Sequence, residues 1–259
     1  MLDRLLRLAD RGGPIVATAI HDGHAVRPDL AAIFAIDEAT RLREEDPFTG
    51  RIAIVASTSL VGLRSRFELD LNRPRDRAVY RTPEDAFGLH VWREPPSDEQ
   101  VARSLDGYDA FYRALEVVLR ERERRHGRFV VLDIHSYNHR RGGPLAPPED
   151  PALNPEINVG TRTVDRARWG PLVDRFCADL RAGAPDGREL DVRENVRFRG
   201  AAMSAWIHRT FPESGCALAL EFKKTFMDEW TGQVDHVRLS ALSGALASTF
   251  PGLVESLAL

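Results

Sequence analysis

Two histidines, an Asn-Arg pair and a glutamate stand where apolar runs of this sequence end, and together they could do hydrolytic chemistry. His21 opens the run His21-Asp22-Gly23-His24 after the apolar stretch Ile15–Ile20. Asn72-Arg73 follows Phe67–Leu71, and His135-Ser136-Tyr137 follows Phe129–Ile134. Glu221 closes the apolar run that begins at Cys216. Two imidazoles and a carboxylate can hold a catalytic zinc, with the fourth position left to water. Asp133 or a nearby backbone carbonyl can hold the second ring nitrogen of His135 and set its tautomer. A glutamate outside the ligand set can accept a proton from water. An arginine beside an asparagine suits a carboxylate, because the guanidinium fork meets both oxygens. The set points to a metal-dependent hydrolase of an anionic amide.

Such residues can meet only if the fold brings separate strand ends to one edge. Strands are expected at Ile15–Ile20, Ile52–Ser57, Phe67–Leu71, Phe129–Ile134 and Cys216–Glu221, several of them continuous apolar runs that suit strands covered on both faces. Helices are expected at Asp29–Arg43, Asp98–Arg125, Trp169–Ala182 and Val234–Ser248. The second has Ser97 and Asp98 as cap candidates and Gly127 just past its end. Its Val101, Leu105, Tyr108, Tyr112, Leu115, Val118 and Leu119 recur at helical spacing. This alternation predicts an α/β sandwich around a largely parallel sheet, whose ligands gather at the carboxyl ends of the strands. Arg73–Pro96, Arg140–Arg168 and Ala184–Arg188 read as irregular, and the second is long enough to be functional.

Composition sets the outer bounds. The chain has 259 residues with no linker-like boundary, which predicts a single domain over 1–259. Lys and Arg number 36 against 39 Asp and Glu, a net charge of −3 that offers no basic field for nucleic acid. Cys177 and Cys216 lie in apolar stretches and read as buried thiols, without a disulfide framework. At the N-terminus, Leu2, Leu5, Leu6 and Ala9 share a helical face, while Asp3, Arg4, Arg7 and Asp10 interrupt any signal-peptide core. The apolar stretch Ala241–Leu259 carries Ser243, Ser248, Thr249, Pro251 and Glu255, so a packed helix is expected rather than a membrane span. A cytoplasmic protein without membrane or nucleic-acid partners is the expectation, and the sequence leaves the oligomeric state open. Ser136 is a poor nucleophile candidate, since no Gly-x-Ser-x-Gly elbow exists in the chain. His90, His126, His208 and His236 read as surface or core residues, and His139, beside Arg140 and Arg141, could touch substrate.

The segments TAIHDGH, EEDPFT, SRFELDLNRPR, VVLDIHSYN, INVGT, FRG and ALALEFKKTFMDE resemble the ordered motifs of the N-formylglutamate amidohydrolase family. The likeness runs from about Ile15 to Trp230, and Asp70-Leu71-Asn72-Arg73 with Asp133-Ile134-His135-Ser136 is its most specific part. That family is similar to the zinc carboxypeptidases in fold and site plan. The resemblance therefore implies a three-layer α/β sandwich with a mixed, largely parallel central sheet. It implies a zinc site of His21, Asp46 and His135, with Glu45 and His24 as reserve candidates for the middle ligand, because a carboxypeptidase would carry a glutamate where this chain has His24. Glu221 matches the general base, Arg66 a basic residue near the scissile carbonyl, and Asn72 with Arg73 the clamp on a substrate carboxylate. The implied reaction is hydrolysis of a small anionic N-acyl amino acid, N-formylglutamate to formate and glutamate. A carboxypeptidase, another N-acyl amino-acid deacylase or a catalytically silent metal-binding relative are the alternatives.

Overall fold

The computed structural model describes residues 2–184 and 187–258. Met1, Leu259, and Pro185 and Asp186 of the expected irregular stretch Ala184–Arg188 lie outside the described residues. Seven strands form one mixed sheet in the order β1-β3-β2-β4-β7-β5-β6. They are β1 (Leu6–Asp10), β2 (Ile15–Ala19), β3 (Thr58–Gly62), β4 (Phe129–Tyr137), β5 (Ile157–Gly160), β6 (Val192–Glu194) and β7 (Gly215–Lys223). The β1–β3 and β7–β5 pairings are antiparallel. The β3–β2, β2–β4, β4–β7 and β5–β6 pairings are parallel.

Helices cover both faces and make three layers. The helices α3 (Thr49–Ala53), α5 (Arg166–Ala182), α7 (His236–Ser248) and α8 (Phe250–Leu257) share one apolar core with Val130, Leu132, Ile134, Leu218 and Leu220 of the sheet. On the other face, α4 (Asp98–His126) and α6 (Ala202–Thr210) pack on Val16, Leu60, Phe129, Val131 and Ala217. The 29 residues of α4 start at a capping box, with Ser97 accepting from the Gln100 amide and the Gln100 side chain returning the bond, and stop at Gly127 with φ 74°.

Several local expectations give way to packing. Of the residues expected on one N-terminal helical face, Leu2 lies in the 3-10 turn Leu2–Arg4, while Leu6 and Ala9 fall in β1, an edge strand in register with β3 from Leu6↔Gly62 to Asp10↔Thr58. So short a segment gains little as an isolated helix and more from a neighbouring strand. Within Ile52–Ser57, Ile52 and Ala53 are helical in α3 and the strand begins only at Thr58. A short β-branched run fits either state. The α3 start is held by the Gly50 amide donating to Asp22 Oδ1 (2.9 Å) and Thr49 Oγ1 donating to the Asp46 carbonyl (2.6 Å). The expected helix Asp29–Arg43 divides into α1 (Pro28–Ala31) and α2 (Glu38–Glu44), the latter capped by Asp37. Phe67–Leu71 is a chain of turns rather than a strand, with the Glu68 and Leu69 amides both bonded to the Ser65 carbonyl. Its Leu69 and Leu71 enter the core under α4, while Phe67 joins Tyr80, Ala86 and Val91. The strands β5 and β6 and the helix α6 fall in segments that carry no strong pattern. The apolar C-terminal stretch turns at Thr249 between α7 and α8 and puts Leu242, Leu246, Leu253 and Leu257 into the core.

Candidate active site

Strand register assembles the site. Side chains alternate across a sheet, so Asp133, His135 and Tyr137 of β4 share the face that carries Phe129 and Val131. His135 lies directly opposite Glu221 on β7, and Glu221 opposite Asn158 on β5. His21 follows the carboxyl end of β2, the strand on the other side of β4. The turn that carries His21 presses against the segment leading to Arg66, and a Cβ on Gly23 would lie 2.2 Å from the Leu63 carbonyl carbon. Asp46 comes from the loop after α2, tied to this turn by its own amide donating to the His21 carbonyl (3.0 Å). Lys224 fixes the same loop. Its buried ammonium donates to the carbonyls of Arg43 (2.6 Å) and Glu45 (2.7 Å).

A cavity of about 270 Å³ at this edge is lined by His21, Asp46, Arg66, Asn72, Arg73, His135 and Glu221. Those are all seven residues singled out from the sequence, and the structure brings them together. Glu45 and His24 turn away, hydrogen-bonded to each other, with Glu45 also accepting from Ser65 and Arg41. Neighbouring residues in an extended segment face opposite ways, which separates Asp46 from Glu45.

His21 Nδ1 and His135 Nδ1 both point at Asp46 Oδ2, at 3.3 and 3.1 Å. One ligand atom from each of the three residues lies within 4.8 Å of the others, and all three side chains are buried. His21 Nδ1 has no hydrogen-bond partner among the described residues. The far nitrogen of each ring meets a carboxylate. His21 Nε2 lies 2.8 Å from Asp70 Oδ1, and His135 Nε2 lies 3.1 Å from Asp133 Oδ2. Thr18 in turn donates to Asp133 Oδ1 (2.8 Å). Two nitrogens and a carboxylate oxygen, each imidazole backed by a carboxylate, are a donor set that fits a zinc-like divalent cation.

Sequence reasoning missed the hub of this arrangement. Asp70 receives His21 Nε2 and the Asn72 amide on Oδ1, and Arg66 (2.9 Å) and the Tyr80 hydroxyl on Oδ2. Burial opposes its ionisation, but Arg66 and His21 outweigh that and hold its carboxyl well below the usual range. The signal lay in the aspartate of the Asp-x-Asn-Arg run; nothing local marked Tyr80. Asn72 is also more engaged than expected. Its Oδ1 accepts from the Met203 amide at the start of α6 (3.1 Å), and its Nδ2 lies 3.2 Å from His135 Nε2. Among the described residues, the Arg73 side chain hydrogen-bonds only the Asp85 carbonyl (3.2 Å), with Asp70 3.8 Å away. Nothing among the described residues hydrogen-bonds the Glu221 carboxylate. Burial raises its pKa to about 8; His135 opposes the rise, and Asp46 adds to it.

The three-layer α/β fold carries, at the carboxyl edge of its parallel strands, a polar pocket holding two imidazoles and a carboxylate that no described residue hydrogen-bonds, a site plan suited to hydrolysis. The sequence pattern described as N-formylglutamate amidohydrolase matches residues 13–227, and the chain belongs to that family. Among solved structures, it is similar to an N-formylglutamate amidohydrolase from Ralstonia eutropha JMP134, at 19% identity and TM-score 0.76 over 98% of each chain. It is also similar to a protein from Agrobacterium tumefaciens, at 16% identity and TM-score 0.69 over 99% of this chain and 97% of that one. A metallo-carboxypeptidase from Pseudomonas aeruginosa aligns at 15% identity and TM-score 0.41, over 97% of this chain and 61% of that one. No curated protein matches the sequence.

Proposed function

We propose that this chain is a zinc-dependent hydrolase of N-formylglutamate, with His21, Asp46 and His135 holding the metal. The observation that carries the reading is the convergence of those three buried donors, one of them an imidazole nitrogen with no hydrogen bond among the described residues, beside the Glu221 carboxylate, which no described residue hydrogen-bonds. Buried carboxylates at Asp46, Asp70 and Asp133 surround the two imidazoles, and a divalent cation would offset that charge. Zinc bound there would acidify water and polarise the acyl carbonyl.

The protein's own groups do the rest. Glu221, one strand from His135 and without a hydrogen bond from the described residues, accepts a proton from the attacking water and returns it to the leaving amine. A carboxyl raised toward neutrality by burial suits both transfers, and a nearby cation would bring it down into the range of a base. Arg66, fixed by Asp70 and Tyr80, presents positive charge where the carbonyl oxygen becomes an oxyanion. Arg73 holds the α-carboxylate and so aligns the amide, while Asn72 supports it from the same turn. At about 270 Å³ the cavity lies at the small end for ligand pockets, which favours an acyl amino acid over a peptide.

The test is metal analysis of the purified protein together with formate release from N-formyl-L-glutamate, before and after a chelator. The reading requires about one zinc per chain and turnover that disappears with the metal and returns with added zinc. Full turnover after complete metal removal would sink it.

A further inference from the structure

We propose that Arg141 reads a second carboxylate on the substrate, so that the pocket selects an N-acyl amino acid with an acidic side chain over one with a neutral side chain. The inference rests on the proposed function and adds a residue that sets specificity. Four cationic side chains line the cavity: Arg66, Arg73, Arg141 and Lys224. Two are each tied to the protein by two hydrogen bonds. Arg66 bonds Asp70 and Tyr80, and Lys224 bonds two backbone carbonyls. The other two retain free donors. Arg73 gives one bond to a carbonyl, and Arg141 makes no hydrogen bond, ion pair or ring contact among the described residues.

The backbone beneath Arg141 is held firmly. The amides of His139 and Arg140 both donate to buried Glu229, at 2.9 and 2.6 Å. Trp230 Nε1 donates to the Arg140 carbonyl (3.0 Å), and the Arg140 guanidinium is locked on Asp228 Oδ2 (2.6 Å). Of two adjacent arginines, one is thus a clamp and the other a free cation facing the pocket from a fixed base. Pre-organising a recognition group in this way lowers the ordering cost of binding. Glu44, the remaining acid on this wall, already meets Arg43 (3.4 Å) and Asn138 (3.1 Å). Two guanidiniums that keep free donors among the described residues, one from the turn after Leu71 and one from the loop after β4, match two carboxylates. A substrate with a single carboxylate would leave one of them unanswered.

The experiment compares kcat/KM for N-formyl-L-glutamate and N-formyl-L-glutamine in metal-loaded wild type, Arg141→Gln and Arg141→Lys. Arg113→Gln, an exposed change on α4 outside the cavity, controls for net charge. The glutamate-to-glutamine preference should fall about tenfold in Arg141→Gln, the scale of one charge-assisted contact at a solvent-accessible site. It should fall less in Arg141→Lys and stay unchanged in Arg113→Gln. An unchanged preference in Arg141→Gln, or an equal drop in Arg113→Gln, overturns the assignment. Calorimetric binding of glutarate and butyrate separates this claim from the proposed reaction. If wild type hydrolyses neither amide, yet Arg141→Gln weakens glutarate binding about tenfold more than butyrate binding, the reaction is wrong and Arg141 stands. Equal weakening, or none, overturns Arg141.

Discussion

The two faces of strands β4 and β7 are built for different ends. On one face Val130, Leu132 and Ile134 lie beside Cys216, Leu218, Leu220 and Phe222, all buried under α5, α7 and their neighbours. On the other, Phe129, Val131 and Ala217 begin an equally apolar layer, which gives way toward the carboxyl ends to Asp133, His135 and Glu221. The first face gains stability from every residue. The second places charges where burial is costly, compensated through Asp70, Arg66, Thr18 and Lys224. The difference shows that stability and chemistry share the same strands and divide by the parity of the residue.

Substitutions on the two faces should therefore fail in opposite ways. His135→Ala should remove the metal and bring hydrolysis of N-formylglutamate to background, with the fold intact by circular dichroism; retention of full zinc content would disprove the ligand set. In the same assay Asp46→Ala should lose far more metal than His24→Ala, whose imidazole is bonded to Glu45. A reversed ranking would move the middle ligand to His24.

Glu221→Gln keeps the size of the side chain and should lower kcat by ~10²–10⁴-fold, the range for general acid–base catalysis, while zinc stays bound. The acid limb of the kcat/KM profile should vanish with it. On the packing face, Leu218→Ala should cost ~2–5 kcal/mol in denaturant unfolding, because the methyl groups leave a closed core. Its kcat/KM per folded molecule should stay within about twofold of wild type. A large catalytic loss there would break the division between faces.

The smallest effect concerns pH. In metal-free protein the Glu221 carboxyl is raised to about 8 from an ordinary 4.5, so the native state keeps a proton that the unfolded chain releases. Its stabilising contribution is complete below the unfolded value and is lost as pH rises toward 8. The Tm advantage of Glu221→Gln over wild type, measured in chelator, should therefore grow from pH 5 to pH 8. A constant difference would mean the carboxyl is not raised.

Much of the site was legible because metal and proton chemistry restrict residue types. Histidine or glutamate at the end of an apolar run is rare enough to stand out, and His21, His135 and Glu221 were found this way. Asp46 needed family resemblance, since the run Glu44-Glu45-Asp46 offers three carboxylates and only the loop's path decides which one faces the imidazoles. The capped helix α4 and the strands β4 and β7 were visible through strong local patterns. The strand β1, the turns at Phe67–Leu71 and the short β5, β6 and α6 were not, because each takes its form from a neighbour distant in sequence.

By itself, then, the sequence determined the alternation of strands and helices along its strongest patterns and the presence of His21, His135, Asn72-Arg73 and Glu221 at the ends of apolar runs, since these are written in residue type and local spacing. Only the tertiary structure decided that Asp70 joins His21, Arg66 and Tyr80, that Glu45 turns from the pocket while Asp46 enters it, and that Arg141 has no hydrogen bond or ion pair among the described residues. Those outcomes depend on which side chains meet, from Arg66 and Asp70 4 residues apart to Lys224 and Glu45 179 apart, and such meetings are settled by packing and charge compensation in the folded interior.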